Sequence, residues 1–334
     1  MNYIGSKFKL CQSFIPETIK SVCGNDLSKK VFCDLFAGTG IVGRTFKTIT
    51  KKVIANDLEY YSYVINKNYI ENHIDIPNKR EYIDELNHSK LVSNGFIYKN
   101  YCLGGSGERQ FFSDYNGKKI DTIRKKINSW KEKFKISSNL YYYLLCSLLE
   151  CADKVANTAS VYGAYLKHLK SSAQKELVLV GADYQINEND HVVYNEDANE
   201  LIKRIEGDIL YLDPPYNSRQ YGANYHLLNT IAEYQTFTPK GKTGLRDYNK
   251  SKYCSSNTVK IEFESLIKNA NFKYIFLSYN NEGLMTTKDI KLIMSKYGHY
   301  DLAKINYQRF KADSNRNNKA NSTVEYLHIL EKKC

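Results

Sequence analysis

The stretch Asp208-Ile-Leu-Tyr-Leu-Asp-Pro-Pro-Tyr216 places a short apolar run directly before an acid, two prolines and an aromatic ring. The run, residues 209–212, is typical of a buried strand, and the prolines end it abruptly because proline has no backbone N–H to donate. Asp213 and Tyr216 are therefore expected at the carboxyl end of a strand, the edge at which open α/β sheets bind ligands. A strand that merely ends in a proline turn with a capping acid is the simpler interpretation. The other motifs weigh against it.

A second motif, Val31-Phe-Cys-Asp-Leu-Phe-Ala-Gly-Thr-Gly40, predicts a strand, a tight turn and a helix in succession. The strand is expected over 31–35 and the helix over 41–48, with the first N–H groups of the helix facing a ligand above the sheet. Gly38 and Gly40 permit the turn and a close approach of the backbone to that ligand. A further strand over 52–55 precedes Asp57, an acid suited to accept hydrogen bonds from both hydroxyls of a ribose.

The same region fits the fingerprint of dinucleotide-binding enzymes. Gly38-Thr-Gly-Ile-Val-Gly43 has the pattern G-x-G-x-x-G, and Asp57 lies nineteen residues after Gly38. Asp34 argues against a dinucleotide, because a carboxylate inside the strand repels pyrophosphate but can receive the ammonium group of a methionine moiety. Nothing downstream resembles a site for hydride transfer. The pattern therefore favours S-adenosylmethionine over a nicotinamide cofactor.

The composition restricts the class of partner. The 334 residues carry a net charge of +12, which suits a polyanion such as nucleic acid, although nucleotide bias in a genome also produces lysine-rich surfaces. The eight cysteines include no C-x-x-C pair and no histidines spaced to join them, which indicates reduced thiols rather than disulfides or zinc. The sequence has neither a signal-peptide core nor an apolar run long enough for a bilayer, so a cytoplasmic location is expected.

The alternation of strands and helices breaks down between residues 75 and 190, which predicts an inserted, largely helical region. It contains a basic helix over 121–130, with Arg124 and Lys125, and a long apolar helix over 139–158. Basic helices and tyrosine-rich loops suit contact with a DNA backbone and readout of bases. A helical cap that reads no sequence is the alternative. The alternation resumes at residue 191 and ends in a hairpin whose loop, 311–322, is also basic.

These motifs, in this order, resemble the D12 class of N6-adenine DNA methyltransferases, from Asn2 to about Leu330. The resemblance implies a Rossmann-like α/β fold with a mostly parallel seven-stranded sheet and an antiparallel hairpin strand. It implies a catalytic domain of residues 1–74 and 191–334, and an inserted target recognition region of residues 75–190. Its most specific parts are Tyr3-Ile-Gly-Ser-Lys7, Asp34-Leu-Phe-Ala-Gly-Thr-Gly40, Asp57, Asp197 and Asp213-Pro-Pro-Tyr216.

The resemblance also implies the ligands and their residues. S-adenosyl-L-methionine is the expected donor and S-adenosyl-L-homocysteine the product, without a metal. Asp34 and the glycine turn are expected to hold the methionine end, Lys7 to lie near its carboxylate, and Asp57 to hold the ribose. The expected cofactor-binding residues are Tyr3, Lys7, Asp34, Phe36, Gly38, Gly40, Asp57, Asp197 and Asp213. The basic residues expected at DNA are Arg124, Lys125, Arg219, Lys311, Arg316 and Lys319.

The tetrapeptide Asp213-Pro214-Pro215-Tyr216 suits chemistry at an exocyclic amine. Adenine N6 is a poor nucleophile because its lone pair is delocalised into the ring. The carboxylate and the Pro214 carbonyl can accept both N6 protons and so favour a pyramidal nitrogen, while Tyr216 stacks on the base. The target is unreachable inside a duplex, so it must be flipped out. Proximity and orientation are expected to supply much of the rate.

The expected function is thus methylation of adenine N6 in double-stranded DNA, as the modification half of a restriction–modification system. A restriction endonuclease encoded nearby is the expected companion, without direct contact, and the protein is expected to be a monomer or weak dimer away from membranes. Methylation of RNA or of a protein amide on the same fold is one alternative. A DNA-binding protein that retains the fold without catalysis is another.

Overall fold

The computed structural model describes residues 6–308 and 322–333, and seven strands run through them. Short apolar runs form most of these strands, as expected for strands buried in a sheet. The strands are β1 (Val31–Asp34), β2 (Lys52–Asn56), β3 (Val192–Tyr194), β4 (Glu206–Leu212), β5 (Asn271–Asn280), β6 (Gly298–Gln308) and β7 (Ser322–Lys332).

The strands form one sheet in the order β3-β2-β1-β4-β5-β7-β6. The five strands from β3 to β5 pair in parallel, whereas β7 is antiparallel to both β5 and β6. This arrangement confirms the predicted mostly parallel seven-stranded sheet with an antiparallel hairpin strand. Because the strand order reverses between β1 and β4, the carboxyl ends of these two strands flank the crevice in which such sheets bind ligands.

Thirteen α-helices lie within the described residues. Their boundaries differ by a few residues from those expected, and the predicted basic helix over 121–130 is the second half of a longer helix. The helices are α1 (Phe14–Cys23), α2 (Ile41–Lys47), α3 (Tyr60–Asn66), α4 (Lys79–Asn87), α5 (Phe96–Tyr101), α6 (Asp114–Glu132), α7 (Ser138–Val155), α8 (Ser171–Gln174), α9 (Ala198–Leu201), α10 (Tyr221–Asn224), α11 (His226–Glu233), α12 (Val259–Asn269) and α13 (Thr287–Met294).

Successive side chains of β1 point to opposite faces of the sheet, as the period of two residues in a strand requires. On one face the Phe32 ring stacks on Phe46 of α2, with ring centroids 4.1 Å apart. On the other face Cys33 joins an apolar cluster that includes residues of α9, α12 and α13, such as Leu201, Phe263 and Ile290. Each large apolar side chain buried in this way contributes roughly 1.5–3 kcal/mol, so both faces hold the strands that carry the site.

The described residues divide into two compact units. One contains Lys67–Ile186 and Tyr221–Tyr248, and the other contains residues 6–66, 187–220, 249–308 and 322–333, which include the whole sheet. The first unit is mainly helical and begins α6 and α7 with serine caps, since the side chains of Ser113 and Ser137 accept hydrogen bonds from Asn116 and Leu140 N–H groups. Residues 221–248, which were expected in the catalytic domain, group with the helical unit.

Within residues 6–308 and 322–333, no helix combines the length and apolar character needed to cross a membrane.

Candidate active site

Three charged side chains meet at the carboxyl edge of the sheet. The ammonium group of Lys7 lies 3.1 Å from Asp213 Oδ1 and 2.9 Å from Glu325 Oε1. Lys7 lies three residues before the 3₁₀ turn Leu10–Gln12, Asp213 follows the last residue of β4, and Glu325 is on β7. Lys7 and Glu325 are 6% and 5% exposed. An ammonium group therefore joins two carboxylates in a largely buried cluster with one positive and two negative charges.

Burial and neighbouring charge set the acidity of this cluster. Burial raises the pKa of Asp213 to about 6, although the Lys7 ammonium lowers it, and the Glu325 carboxylate raises it further. The pKa of Lys7 is raised well above its usual value, because the attraction of the two carboxylates outweighs the lowering effect of burial. Lys7 is therefore firmly protonated, and Asp213 is a weaker acid than an exposed aspartate.

The other residues of the tetrapeptide lie outside the β ladder, since β4 ends at Leu212. Within the described residues, no hydrogen bond reaches the Pro214 carbonyl or Oδ2 of Asp213. The Tyr216 ring packs edge-on against Tyr279, with centroids 6.3 Å apart, and the Tyr216 carbonyl accepts a hydrogen bond from Leu284 N–H at 2.9 Å. The tetrapeptide thus presents two oxygen acceptors beside an anchored aromatic side chain.

Asp34, the last residue of β1, pairs in register with Tyr211 of β4, two residues before Asp213. Oδ2 of Asp34 accepts a hydrogen bond from Gly43 N–H at 2.9 Å, whereas Oδ1 is buried without a partner among the described residues. Burial raises the pKa of Asp34 to about 8; the Gly43 bond lowers it, and Asp213 and Asp57 raise it. A carboxyl group this deeply buried favours a cationic ligand, because that ligand would restore its charge.

The glycine turn follows directly after β1. Gly38 and Gly40 have φ of 53° and 74°, a left-handed conformation that side chains with a Cβ rarely adopt. Gly38 N–H donates to Asp57 Oδ2 at 2.7 Å, and Glu59 N–H donates to Oδ1 at 2.9 Å. Burial raises the pKa of Asp57 despite these two bonds. The turn and Asp57 therefore hold each other in place at the ends of β1 and β2.

Two further predicted cofactor residues, Phe36 and Asp197, belong to the unit that contains the sheet. Phe36 packs edge-on against Tyr253, with ring centroids 5.1 Å apart. Asp197 is exposed and caps α9, because its Oδ1 accepts hydrogen bonds from Asn199 N–H at 2.8 Å and Glu200 N–H at 3.3 Å. Both capping bonds use Oδ1 of Asp197. Tyr3 lies outside the described residues.

Lys7 binds two carboxylates of the protein. Its ammonium group contacts Asp213 and Glu325, and its expected place near the carboxylate of the donor stays a prediction. Glu325 was not among the predicted site residues. One signal was available: Glu325, Leu327 and Ile329 share one face of β7, and all three are buried. An acid at a position that the strand period assigns to the core is a candidate site residue.

The predicted DNA contact is not supported at Arg124, which is 2% exposed. Its guanidinium donates to the carbonyl groups of Ile231 at 2.9 Å and Ala232 at 2.7 Å, and so joins α6 to α11. The spacing already indicated burial, since residues 120, 123, 124 and 127 lie on one helical face and the other three are isoleucines. Arg124 is therefore a structural residue.

The remaining predicted DNA-contacting residues have different surroundings. Lys125 and Arg219 are exposed. The Lys125 ammonium donates to the Asn94 carbonyl at 3.1 Å, and Asn217 Oδ1 accepts from Arg219 N–H at 2.9 Å. Lys311, Arg316 and Lys319 lie outside the described residues. Lys125 and Arg219 thus keep charged groups at the surface, and their contact with DNA stays a prediction.

Comparison with known proteins identifies the family. The model of the D12 class N6 adenine-specific DNA methyltransferase family matches residues 3–293. The chain is 61% identical over 334 residues to the Type II methyltransferase M.NlaIII of Neisseria lactamica, covering 99% of each protein. It is 40% identical over 337 residues to the Type II methyltransferase M.CviAII of Paramecium bursaria Chlorella virus 1, covering 99% of this chain and 98% of that one.

A third relative is longer. The chain is 40% identical over 347 residues to the Type II methyltransferase M.FokI of Planomicrobium okeanokoites, and it spans 53% of that protein's length. The family match extends over most of the chain and includes both the glycine turn and the tetrapeptide. The resemblance seen in the motifs is therefore confirmed: the chain belongs to the D12 class of N6 adenine-specific DNA methyltransferases and is an enzyme of that activity.

Proposed function

We propose that the enzyme methylates a specific adenine of double-stranded DNA, with S-adenosyl-L-methionine bound at the carboxyl edge of β1, β2 and β4. The observation that supports this most is the pair of acids at the ends of two adjacent parallel strands, the buried Asp34 and the partly buried Asp213. One acid is suited to the cationic end of the donor, and the other to the amino group of the base.

The donor fits the groups at this edge. The buried, unpartnered Oδ1 of Asp34 suits the ammonium group of the methionine moiety, and the glycine turn lets the backbone approach closely. Asp57 and Asp197 suit the ribose and the adenine of the donor, and Phe36 supplies an apolar surface. When bound, S-adenosyl-L-methionine supplies an activated methyl group on a sulfonium, so the protein itself has to position the nucleophile.

The chain's own residues would position adenine N6. Oδ2 of Asp213 and the Pro214 carbonyl accept its two protons, which directs the nitrogen lone pair away from the ring plane. Lys7 fixes the orientation of Asp213 through Oδ1. Pro215 constrains the backbone, and the Tyr216 ring stacks on the extruded base, an interaction worth about 1–3 kcal/mol in single-stranded recognition. Orientation of this kind contributes much of the rate in two-substrate reactions.

The helical unit, Lys67–Ile186 with Tyr221–Tyr248, is proposed as the target recognition region. It exposes Lys125, and the net charge of +12 suits a phosphate backbone. Since the similar proteins are named Type II methyltransferases, we propose the same role here. The enzyme would protect DNA against a restriction endonuclease encoded nearby, without contact between the two proteins, and would act as a monomer or weak dimer.

The test separates chemistry from donor binding. Asp213→Ala is expected to lower single-turnover methyl transfer by at least about a hundredfold, the usual contribution of a positioned acid–base group. Calorimetric titration of S-adenosyl-L-methionine should show little change in affinity. Transfer at a rate near that of the wild type would contradict the proposed role of Asp213.

Asp208 provides a matched control on the same strand. It lies near the opposite end of β4, where its carboxylate binds Lys30 at 3.0 Å and Val31 N–H at 2.8 Å. Asp208→Ala removes the same chemical group from β4 and is expected to leave transfer and donor affinity within about twofold. Sequencing methylated DNA after expression in a host that lacks methylation would identify the recognition sequence.

A further inference from the structure

Glu325 is a buried acid that the proposed chemistry does not use. It contacts Lys7 at 2.9 Å and accepts a hydrogen bond from the Ser278 hydroxyl at 2.8 Å, both through Oε1. Ser278 is on β5, and Glu325 pairs with Asn280 of the same strand. Glu325 is thus fixed by the sheet and by a side-chain hydrogen bond. A buried carboxylate is costly unless its interactions compensate for lost hydration.

Glu325 weakens the effect of the Lys7 ammonium on the proton affinity of Asp213. A buried ammonium beside one carboxylate would form a neutral pair, which stabilises the charged form of the acid and makes it a weak proton acceptor. Because Glu325 contacts the same ammonium group, the positive charge of Lys7 is shared by two carboxylates. Asp213 then retains more negative potential than a simple ion pair would leave it.

We propose that Glu325 is a positioning residue for methyl transfer, which anchors Lys7 and keeps Asp213 basic enough to accept a proton from adenine N6. This inference rests on the proposed role of Asp213. It adds a residue on the last strand to the reaction and gives Lys7 a task at the nucleobase rather than at the donor.

The proposal accounts for the proton that the reaction releases. The N6 lone pair forms the new N–CH₃ bond, while the electrons of the broken S–CH₃ bond remain on sulfur. N6 then holds one proton in excess, and this proton goes to the Asp213 carboxylate and afterwards to water. The pKa of Asp213 agrees with this step: burial and Glu325 raise it and Lys7 lowers it, and the net effect is a rise to about 6.

Other charged or titratable groups act on this cluster from the surrounding elements. Asp34 at the end of β1, Cys11 of the N-terminal 3₁₀ turn and Tyr211 of β4 interact electrostatically with Asp213, and Tyr216 interacts with Lys7. All of them are retained when Glu325 alone is changed. A shift in the acidity of Asp213 can therefore be assigned to the Glu325 charge.

The experiment measures the pH dependence of single-turnover methyl transfer in Glu325→Gln. The amide oxygen of glutamine can still accept from Ser278 and Lys7, so the fold is expected to persist. Removal of the negative charge should lower the pKa of Asp213. The acidic limb of the rate profile should then move to lower pH, and the plateau rate should fall about three- to tenfold because the base is weaker.

A direct readout accompanies the kinetics. The titration of the Asp213 carboxyl carbon, followed by NMR with ¹³C-labelled aspartate and assigned with Asp213→Asn, should shift in the same direction as the rate profile. Donor affinity should stay within about twofold. A purely structural role of Glu325 predicts no downward shift. The proposal would be overturned if the acidic limb of the rate profile and the Asp213 titration stayed in place or moved to higher pH.

Two more variants keep the outcomes distinct. Ser278→Ala keeps the Glu325 charge and is expected to slow transfer slightly without moving the acidic limb. Glu325→Asp withdraws the charge by one methylene and should move the acidic limb less than Glu325→Gln does. If the glutamine variant does not fold, the aspartate variant alone tests the proposal. If Asp213→Ala transfers methyl groups normally, the proposed function fails. If that variant is inactive and the Glu325 variants keep the wild-type limb, only this inference fails.

Discussion

Donor binding should be coupled to ionisation of Asp34. This carboxyl is 1% exposed, one of its oxygens has no partner in the described part of the chain, and burial raises its pKa to about 8. At pH 6 to 7 the unliganded protein therefore holds Asp34 mainly in its neutral form. An ammonium group binds a carboxylate far more strongly than a carboxylic acid, so binding of the donor should release a proton.

The size of the coupling follows from the pKa. Each pH unit below a pKa corresponds to 1.36 kcal/mol, so at pH 6 ionising Asp34 costs about 2.7 kcal/mol. Donor affinity should rise about tenfold per unit, or roughly a hundredfold from pH 5.5 to pH 7.5. The rise should then stop, because an α-amino group loses its own proton near pH 7.7–8.0.

Calorimetry in buffers with different ionisation enthalpies measures both affinity and proton release. We expect release of almost one proton per donor at pH 6. Asp34→Asn should bind the donor weakly and without this pH dependence. An affinity that is constant from pH 5.5 to pH 7.5, with no proton released, would refute the reasoning about Asp34.

Stability provides an independent control for this variant. A carboxyl whose pKa is higher in the folded than in the unfolded chain binds more protons when folded, so stability falls as pH rises from about 4 to about 8. An asparagine has no such titration. Unliganded Asp34→Asn should therefore melt no lower than the wild type at pH 7, although it has lost donor binding.

Three further predictions concern single side chains. Tyr216→Phe should stay active, whereas Tyr216→Ala should lose about 1–3 kcal/mol of stacking, and less when the target adenine is mismatched; rates on paired and mismatched duplexes decide this. Arg124→Met should destabilise the helical unit by roughly 2–4 kcal/mol in denaturant titrations, since it leaves the Ile231 and Ala232 carbonyls unsatisfied, with no separate loss of DNA affinity. Phe134 is 95% exposed at a φ of 52°, so Phe134→Gly should raise the free energy of unfolding by about 1 kcal/mol.

Local patterns predicted the sheet and the glycine turn because their signals lie within short stretches of chain. An apolar run followed by Asp213 and two prolines ends a strand whatever surrounds it. Gly38 and Gly40 are required by the backbone conformation of the turn itself. The strand expected over 52–55 is likewise observed as Lys52–Asn56.

Contacts between distant segments were not predictable in the same way. Nothing in the neighbourhood of Glu325 indicates that Lys7 will lie against it, because that contact depends on the strand order of the finished sheet. Residues 221–248 group with the helical unit for a similar reason: Arg109 of that unit donates to the carbonyls of Gly241 and Lys242. Arg124 was different, because its helical spacing already placed it on the buried face and its charge alone suggested DNA.

The position of β7 in the sheet has a consequence for the timing of folding. Lys7 and Glu325 are 325 − 7 = 318 residues apart in the chain, yet their side chains touch. Chains whose contacts join such distant segments fold slowly, since a long loop must close before the contact forms. During translation at about 5–20 residues per second, the 109 residues from 217 through Glu325 take roughly 5–20 s to emerge. A growing chain therefore contains its glycine turn and its tetrapeptide before Glu325 is synthesised, and the ion pair between Lys7 and Glu325 cannot form until β7 has emerged.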